Sequence, residues 1–100
     1  MTSQGSAYAR FRRALLTRNM GMIDPAAREL PAIALDDALR ILAVMAEQSD
    51  PRYPRAAARW AARVTTEQRL GMAESRDVLA LLGMMPKHPE AALVTLREYV

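Results

Sequence analysis

Apolar residues recur along this chain at three- and four-residue steps, in short stripes cut by prolines, glycines and polar breaks, so the pattern predicts short amphipathic helices. Tyr8, Phe11, Leu15 and Leu16 form the first stripe, on a helix over about 7–18 that Ser6 can cap and that Asn19 and Gly21 stop. A second helix, about 22–30, turns Ile23, Ala27 and Leu30 inward. Pro25 fits only its first turn, where a missing N–H is harmless. Pro31 ends it, because the residue before a proline resists the α region. The third helix, about 35–48, carries Leu35, Leu39, Leu42 and Ala46 on one face, widened by Ala38, Ile41 and Met45. Ser49-Asp50-Pro51 breaks it, and a fourth helix over about 54–66 points Tyr53, Ala57, Trp60, Ala61 and Val64 at the core. The fifth, about 72–84, opens on Gly71 with Glu74 as its capping partner. Val78, Leu79, Leu81, Leu82 and Met85 make it apolar on nearly all sides, which predicts the most buried helix. Beyond Pro86-Lys87-His88-Pro89, a sixth helix over about 90–99 directs Leu93, Leu96 and Val100 inward.

The polar residues 1–5 are expected to be a disordered tail. Residues 6–100 are then a single all-α domain of about six short helices, arranged as three helical hairpins. A faint internal echo accompanies that order. Ile41-Leu42-Ala43 aligns with Val78-Leu79-Ala80, and Ala57, Trp60 and Val64 align with Leu93, Leu96 and Val100. Repeated hairpins of this kind suggest an orthogonal bundle or a small α-solenoid-like stack.

Composition sharpens this picture. With 51% apolar but only 5% aromatic residues, the core is built from Ala, Leu, Ile, Val and Met. The absence of cysteine excludes disulfides, thiolate nucleophiles and cysteine-bound zinc together. The longest apolar run, residues 41–46, is far below the ~20 residues a membrane span needs, so no membrane partner and a cytoplasmic location are expected. Net charge is only +3, and thirteen of the fourteen basic residues are arginine. With abundant alanine, that bias reflects a GC-rich genome more than a nucleic-acid partner.

Catalytic chemistry finds little purchase. His88 is the only histidine and sits in a turn between Lys87 and Pro89, so no histidine pair can hold a metal. Asp36 and Asp37 point about 100° apart on a helix and suit its positive end rather than one shared site. No Gly-rich phosphate loop or nucleophile elbow is present. The expectation is no enzyme, no cofactor and no metal.

Two arginine clusters are sharper. Arg52, Arg55, Arg59 and Arg63 recur at three- and four-residue steps on the fourth helix, away from Trp60, and Arg10, Arg12, Arg13 and Arg18 crowd the first. Guanidinium groups in a row repel unless water, acidic neighbours or an anionic partner answer them. Glu29, Glu47, Glu67 and Glu98 are the candidate intramolecular partners. No aromatic residue interleaves with the arginines, so a platform for stacking single-stranded bases is missing. Met20, Met22, Met45, Met72, Met84 and Met85 suit core filling more than a binding groove.

Glu74 through Met85 resembles the first helix and turn of excisionase-like DNA-binding domains over about a dozen residues. The helix that would follow carries Pro89 at an inward position and opens with Glu90, which phosphates repel; it offers only Thr95 and Arg97 to a groove. A longer resemblance rests on Asp50-Pro51-Arg52-Tyr53, then Ala56-Ala57, then Arg59-Trp60-Ala61-Ala62-Arg63. These residues, within about 35–82, are similar to a group of small helical proteins of actinobacterial genomes. That resemblance implies an all-α fold and a bacterial cytoplasm, and carries no activity or functional residue. In physical terms Trp60 is expected to anchor the third hairpin against the second, with Arg59 on the outer face. The chain is thus expected to be a non-catalytic helical protein–protein interaction module that binds a partner protein or itself. The alternative is nucleic-acid association through the arginine faces or a degenerate helix-turn-helix.

Overall fold

The computed structural model describes residues 3–100, with side chains from residue 5 onward. Its elements are α1 (Ser3–Thr17), α2 (Met20–Arg28), α3 (Leu35–Glu47), α4 (Tyr53–Glu67), α5 (Met72–Met84) and α6 (Pro89–Leu96), followed by a 3-10 turn at Arg97–Tyr99. The fold is all-α, with no strand among the described residues. Helix α1 starts at Ser3, inside the expected tail 1–5, whose residues 1 and 2 lie outside the described residues. Ser6 therefore does not cap it; its hydroxyl accepts from Arg10 Nη1 at 3.2 Å.

Helix ends explain most shifts of boundary. Arg18, Ser49 and Arg69, none of them glycine, take positive φ of 54°, 53° and 52° within two residues of the ends of α1, α3 and α4. Past α3, the Asp50 N–H reaches Met45 O at 2.9 Å and the Ser49 N–H reaches Ala46 O at 3.2 Å. Past α4, Leu70 and Arg69 bond Thr65 O and Thr66 O in the same way, so both ends are Schellman motifs. At the end of α1 a side chain substitutes. The Thr17 hydroxyl donates to Ala14 O at 2.6 Å and accepts the Asn19 N–H at 3.2 Å. Because a Cβ is disfavoured in the left-handed region, Ser49→Gly and Arg69→Gly are each expected to stabilise by about 0.5–1 kcal/mol. Thermal melts should rise for both, and an unchanged or lowered melt would count against this account of the two ends.

Asn19 opens α2 rather than closing α1. Its backbone is extended and its side chain accepts the Gly21 N–H at 2.8 Å. A Cβ on Gly21 would lie 3.0 Å from Asn19 Oδ1, so glycine suits the corner. Since α2 starts two residues early, Pro25 falls inside it instead of in its first turn, and Gly21 O loses the N–H that residue 25 would have supplied.

The helices fall into two units, Met1–Ala34 and Leu35–Val100. In the first, α1 and α2 pair as a hairpin. Ala7, Phe11, Ala14, Met20 and Ile23 are buried, whereas Tyr8 is 43% and Leu16 83% exposed. The buried stripe is thus 7, 11 and 14: Phe11 is inward as expected, but alanines flank it where Tyr8 and Leu15 were expected.

In the second unit α3 pairs with α4 and α5 with α6; α4 also meets α5, and α6 returns to α3. That return closes four helices into a bundle, unlike a solenoid, whose units touch only their neighbours. The internal echo does not extend to burial: Leu42 and Val64 are buried, while their counterparts Leu79 and Val100 are exposed. The most buried helix is α3, not α5. Eight of its thirteen residues are buried, and α5 buries only Val78 and Leu82 within its span. Helix α5 contacts α4 and α6, yet Leu79 remains 56% and Met72 76% exposed.

Two side-chain bonds lock this unit. The Trp60 indole N–H donates to Leu35 O at 2.9 Å, so its polar tie runs within the α3/α4 hairpin rather than to the third hairpin. The Tyr53 hydroxyl donates to Leu82 O at 2.6 Å, joining the start of α4 to the end of α5.

Candidate interaction face on α4 and α5

The arginine row of α4 divides into paired and unpaired members. Arg52 sits just before the helix and grips Asp50: its backbone N–H donates to Asp50 Oδ1 at 2.9 Å and its Nη2 to Oδ2 at 2.9 Å. The Arg52 side-chain and backbone donors together hold the Asp50 carboxyl below the usual carboxylate range. One turn from the other end, Arg63 Nε donates to Glu67 at 2.8 Å. Between them Arg55 and Arg59 are exposed and make no ion pair among the described residues. They are one helical turn apart, about 6 Å along the axis.

The first-unit cluster is more self-contained. Arg10 Nη2 meets Glu29 at 2.6 Å across the α1/α2 hairpin, and Arg12 and Arg18 have partners of their own. Arg13 lines an open pocket of about 510 Å³ together with Arg10, Met22, Pro25 and Glu29. The two clusters therefore belong to different units, Arg10–Arg18 to the first and Arg52–Arg63 to the second.

Between α4 and α5 runs an apolar groove of about 330 Å³, walled by Tyr53, Pro54, Ala57 and Ala58 of α4 and by Leu79, Leu82, Gly83 and Pro86 on the α5 side. Arg55 is three residues from Ala58 and shares a face with it, whereas Arg59 follows Ala58 directly and turns about 100° away. On α5, Arg76 precedes Leu79 by one turn on the same face. The carboxylates of α5 are elsewhere. Glu74 accepts the Gly71 N–H at 3.1 Å, closing the expected capping box. Burial, and after it the charges of Asp77, Glu74 and Glu98, push the Tyr99 hydroxyl above its ordinary value, which places those carboxylates toward the 3-10 turn.

The remaining candidates are dispersed. His88 is exposed at the start of α6 and makes no capping bond with its side chain. Among the described residues no group of three or more His, Asp or Glu could hold a metal ion. Asp37 is buried in the first turn of α3, and Asp36 faces Arg40 at 3.4 Å and Arg97 at 3.2 Å. In α6 the Thr95 hydroxyl donates back to Ala91 O, so Thr95 and Arg97, the two residues a recognition helix would offer, are both engaged within the chain. Met20, Met45 and Met85 are buried, but Met22, Met72 and Met84 are on the surface. No helix among the described residues is long and apolar enough to cross a membrane.

Sequence periodicity found the arginine row but missed the groove, because it assigned Leu79 to the core. The signal was partial: once Val78, Leu82 and Met85 take the inward face of α5, Leu79 lies roughly 90° from its centre, at the edge of that face. No protein-family model, no curated protein and no solved structure matches the chain.

Proposed function

We propose that this chain is a non-catalytic helical interaction module, resident in a bacterial cytoplasm, that binds another protein through the exposed face of α4 and α5. The observation that carries the reading is an open apolar groove between α4 and α5, on a unit whose Arg55 and Arg59 make no ion pair among the described residues. An exposed apolar groove is costly to leave in water and is characteristic of docking sites. The groove's lining contains no nucleophile and, apart from the Tyr53 hydroxyl already bonded to Leu82 O, no acid or base. The resemblance around Arg59-Trp60 supports the cytoplasmic setting.

Affinity capture on the wild-type chain, compared with Ala58→Glu and Leu79→Glu chains, tests the reading. A protein partner retained by wild type and released by both variants supports it. A partner held equally by all three, or a chain that stays partnerless and monomeric at high concentration, overturns it. Duplex DNA binding that weakens steeply with salt and vanishes in Arg55→Glu/Arg59→Glu would replace it with nucleic-acid association.

A further inference from the structure

We propose that the groove between α1 and α2 binds a small organic carboxylate, an apolar body with one negative end that sits on the Arg13 guanidinium. The site belongs to the first unit and is independent of the α4/α5 face.

The shape suits a short molecule. The groove holds about 510 Å³, within the range of small-ligand sites. Its two walls are matching helical faces, positions 10, 13, 14 and 17 of α1 and positions 22, 25, 26 and 29 of α2. Ala14 is buried and Ala26 half-buried, so the smallest side chains lie deepest, with Met22 and Pro25 exposed beside them. Both ends are stopped. At one end Arg10 Nη2 and Glu29 Oε2 meet at 2.6 Å across the hairpin. At the other the chain turns from Thr17 into α2. Seven residues of helix separate the two ends, about 10 Å. A peptide running through the groove would have to displace the ion pair; a molecule of that length would not.

The chemistry selects a single carboxylate. Among the polar side chains of the lining, three are committed. The Arg10 guanidinium donates to Ser6 and to Glu29, which it holds, and the Thr17 hydroxyl donates to Ala14 O. Arg13 makes no ion pair or side-chain hydrogen bond among the described residues. Its planar fork matches a carboxylate through two parallel N–H···O bonds. Two arginines against one glutamate leave the lining with one net positive charge, the complement of a monoanion. A dianion such as a phosphate monoester would carry a second charge with no free cation to meet it and Glu29 to repel it. Ala14, Met22, Pro25 and Ala26 offer the rest of the ligand only apolar contact, so its body is hydrocarbon.

Hexanoate is the probe, with hexanamide as its neutral counterpart and hexyl phosphate, at about pH 8, as the dianion. Binding to the full chain is read from the methionine methyl resonances. Met22 lines the groove, whereas Met72 and Met84, also exposed, belong to the second unit and serve as internal controls. Hexanoate is expected to move the Met22 resonance saturably and to leave the other two in place. Arg13→Gln, at an exposed helical position that glutamine suits, should weaken hexanoate about tenfold or more, as loss of a charge-assisted contact would give. Arg13→Lys should recover part of that loss, since it restores the charge without the fork. Arg55→Gln removes the same charge from the second unit and should change nothing.

Equal affinity for hexanoate and hexanamide, or hexanoate binding unaltered by Arg13→Gln, would overturn the contact with Arg13. Tighter binding of hexyl phosphate than of hexanoate would overturn the preference for one charge. A Met22 resonance that moves no more than those of Met72 and Met84 would overturn the site itself and leave the α4/α5 reading untouched.

Discussion

Replacing Trp60 by alanine is expected to cost about 3–5 kcal/mol of stability, the largest effect of any single substitution considered for this chain. Trp60 is 3% exposed and its indole N–H bonds Leu35 O, the first residue of α3. The substitution therefore opens a cavity the size of an indole between two helices and deletes the polar tie that holds the α3/α4 hairpin at its open end. Trp60→Phe keeps most of the ring but no donor, so it should lose only about 1–2 kcal/mol, in line with one buried hydrogen bond. Melts followed by far-UV circular dichroism separate the two, since both variants lack the only tryptophan and so its fluorescence. A Trp60→Ala melt within a few degrees of wild type would show that the indole is not buried as described. An equal loss in both variants would assign the whole effect to the hydrogen bond rather than to packing.

How much of this was legible beforehand depends on which neighbours a residue answers to. Helix α5 was readable to the residue, 72–84, because its signals are local: Gly71 with Glu74 at the start and Pro86 beyond the end. The run Tyr53, Ala57, Trp60, Ala61, Val64 was readable for a similar reason, since one face of α4 is uniformly apolar and all five are buried. Asn19 misled because its side chain suits either a stop or a start; the Gly21 N–H two residues on decides in favour of the start. Arg18, Ser49 and Arg69 could not be picked out as left-handed residues, because nothing in a β-carbon-bearing side chain advertises positive φ. The cost is offset by the Schellman bonds that follow Ser49 and Arg69, and those depend on where the next helix begins.

The interaction face was half legible for a tertiary reason. Periodicity placed Arg52, Arg55, Arg59 and Arg63 on one arc, yet it gave no way to tell which were neutralised. Asp50 and Glu67 sit at each end and remove the outer two, so the residual charge concentrates on the middle pair. Likewise Leu79 looked like core because five apolar residues crowd α5 and its neighbour Met85. A helix packed mainly against α4 and α6 cannot bury them all. An apolar residue in excess of what a helix can bury, and charges in excess of what the described residues pair, are where an external partner gains most.

Tyr53→Phe is expected to destabilise by about 1–3 kcal/mol, out of proportion to the loss of one oxygen, because of what Pro86 lacks. Leu82 O would normally accept the N–H four residues on; position 86 is proline and has none. The Met85 N–H reaches that oxygen only at 3.3 Å, and the Tyr53 hydroxyl supplies the short bond at 2.6 Å. Phenylalanine leaves a buried carbonyl with the long contact alone. The same hydroxyl makes stability depend on alkaline pH. Burial pushes it from its ordinary 10.0 up to about 12, so the folded chain favours the neutral form. Its contribution is therefore complete below pH 10 and is lost as pH rises toward 12. Across that interval the wild-type melting temperature should fall more steeply than that of Tyr53→Phe. Tyr99, also raised, is present in both chains and cancels from the difference. Parallel curves for the two chains would mean that the hydroxyl ionises as freely in the fold as in the unfolded chain. The Tyr53–Leu82 bond would then not be the tie that joins α4 to α5.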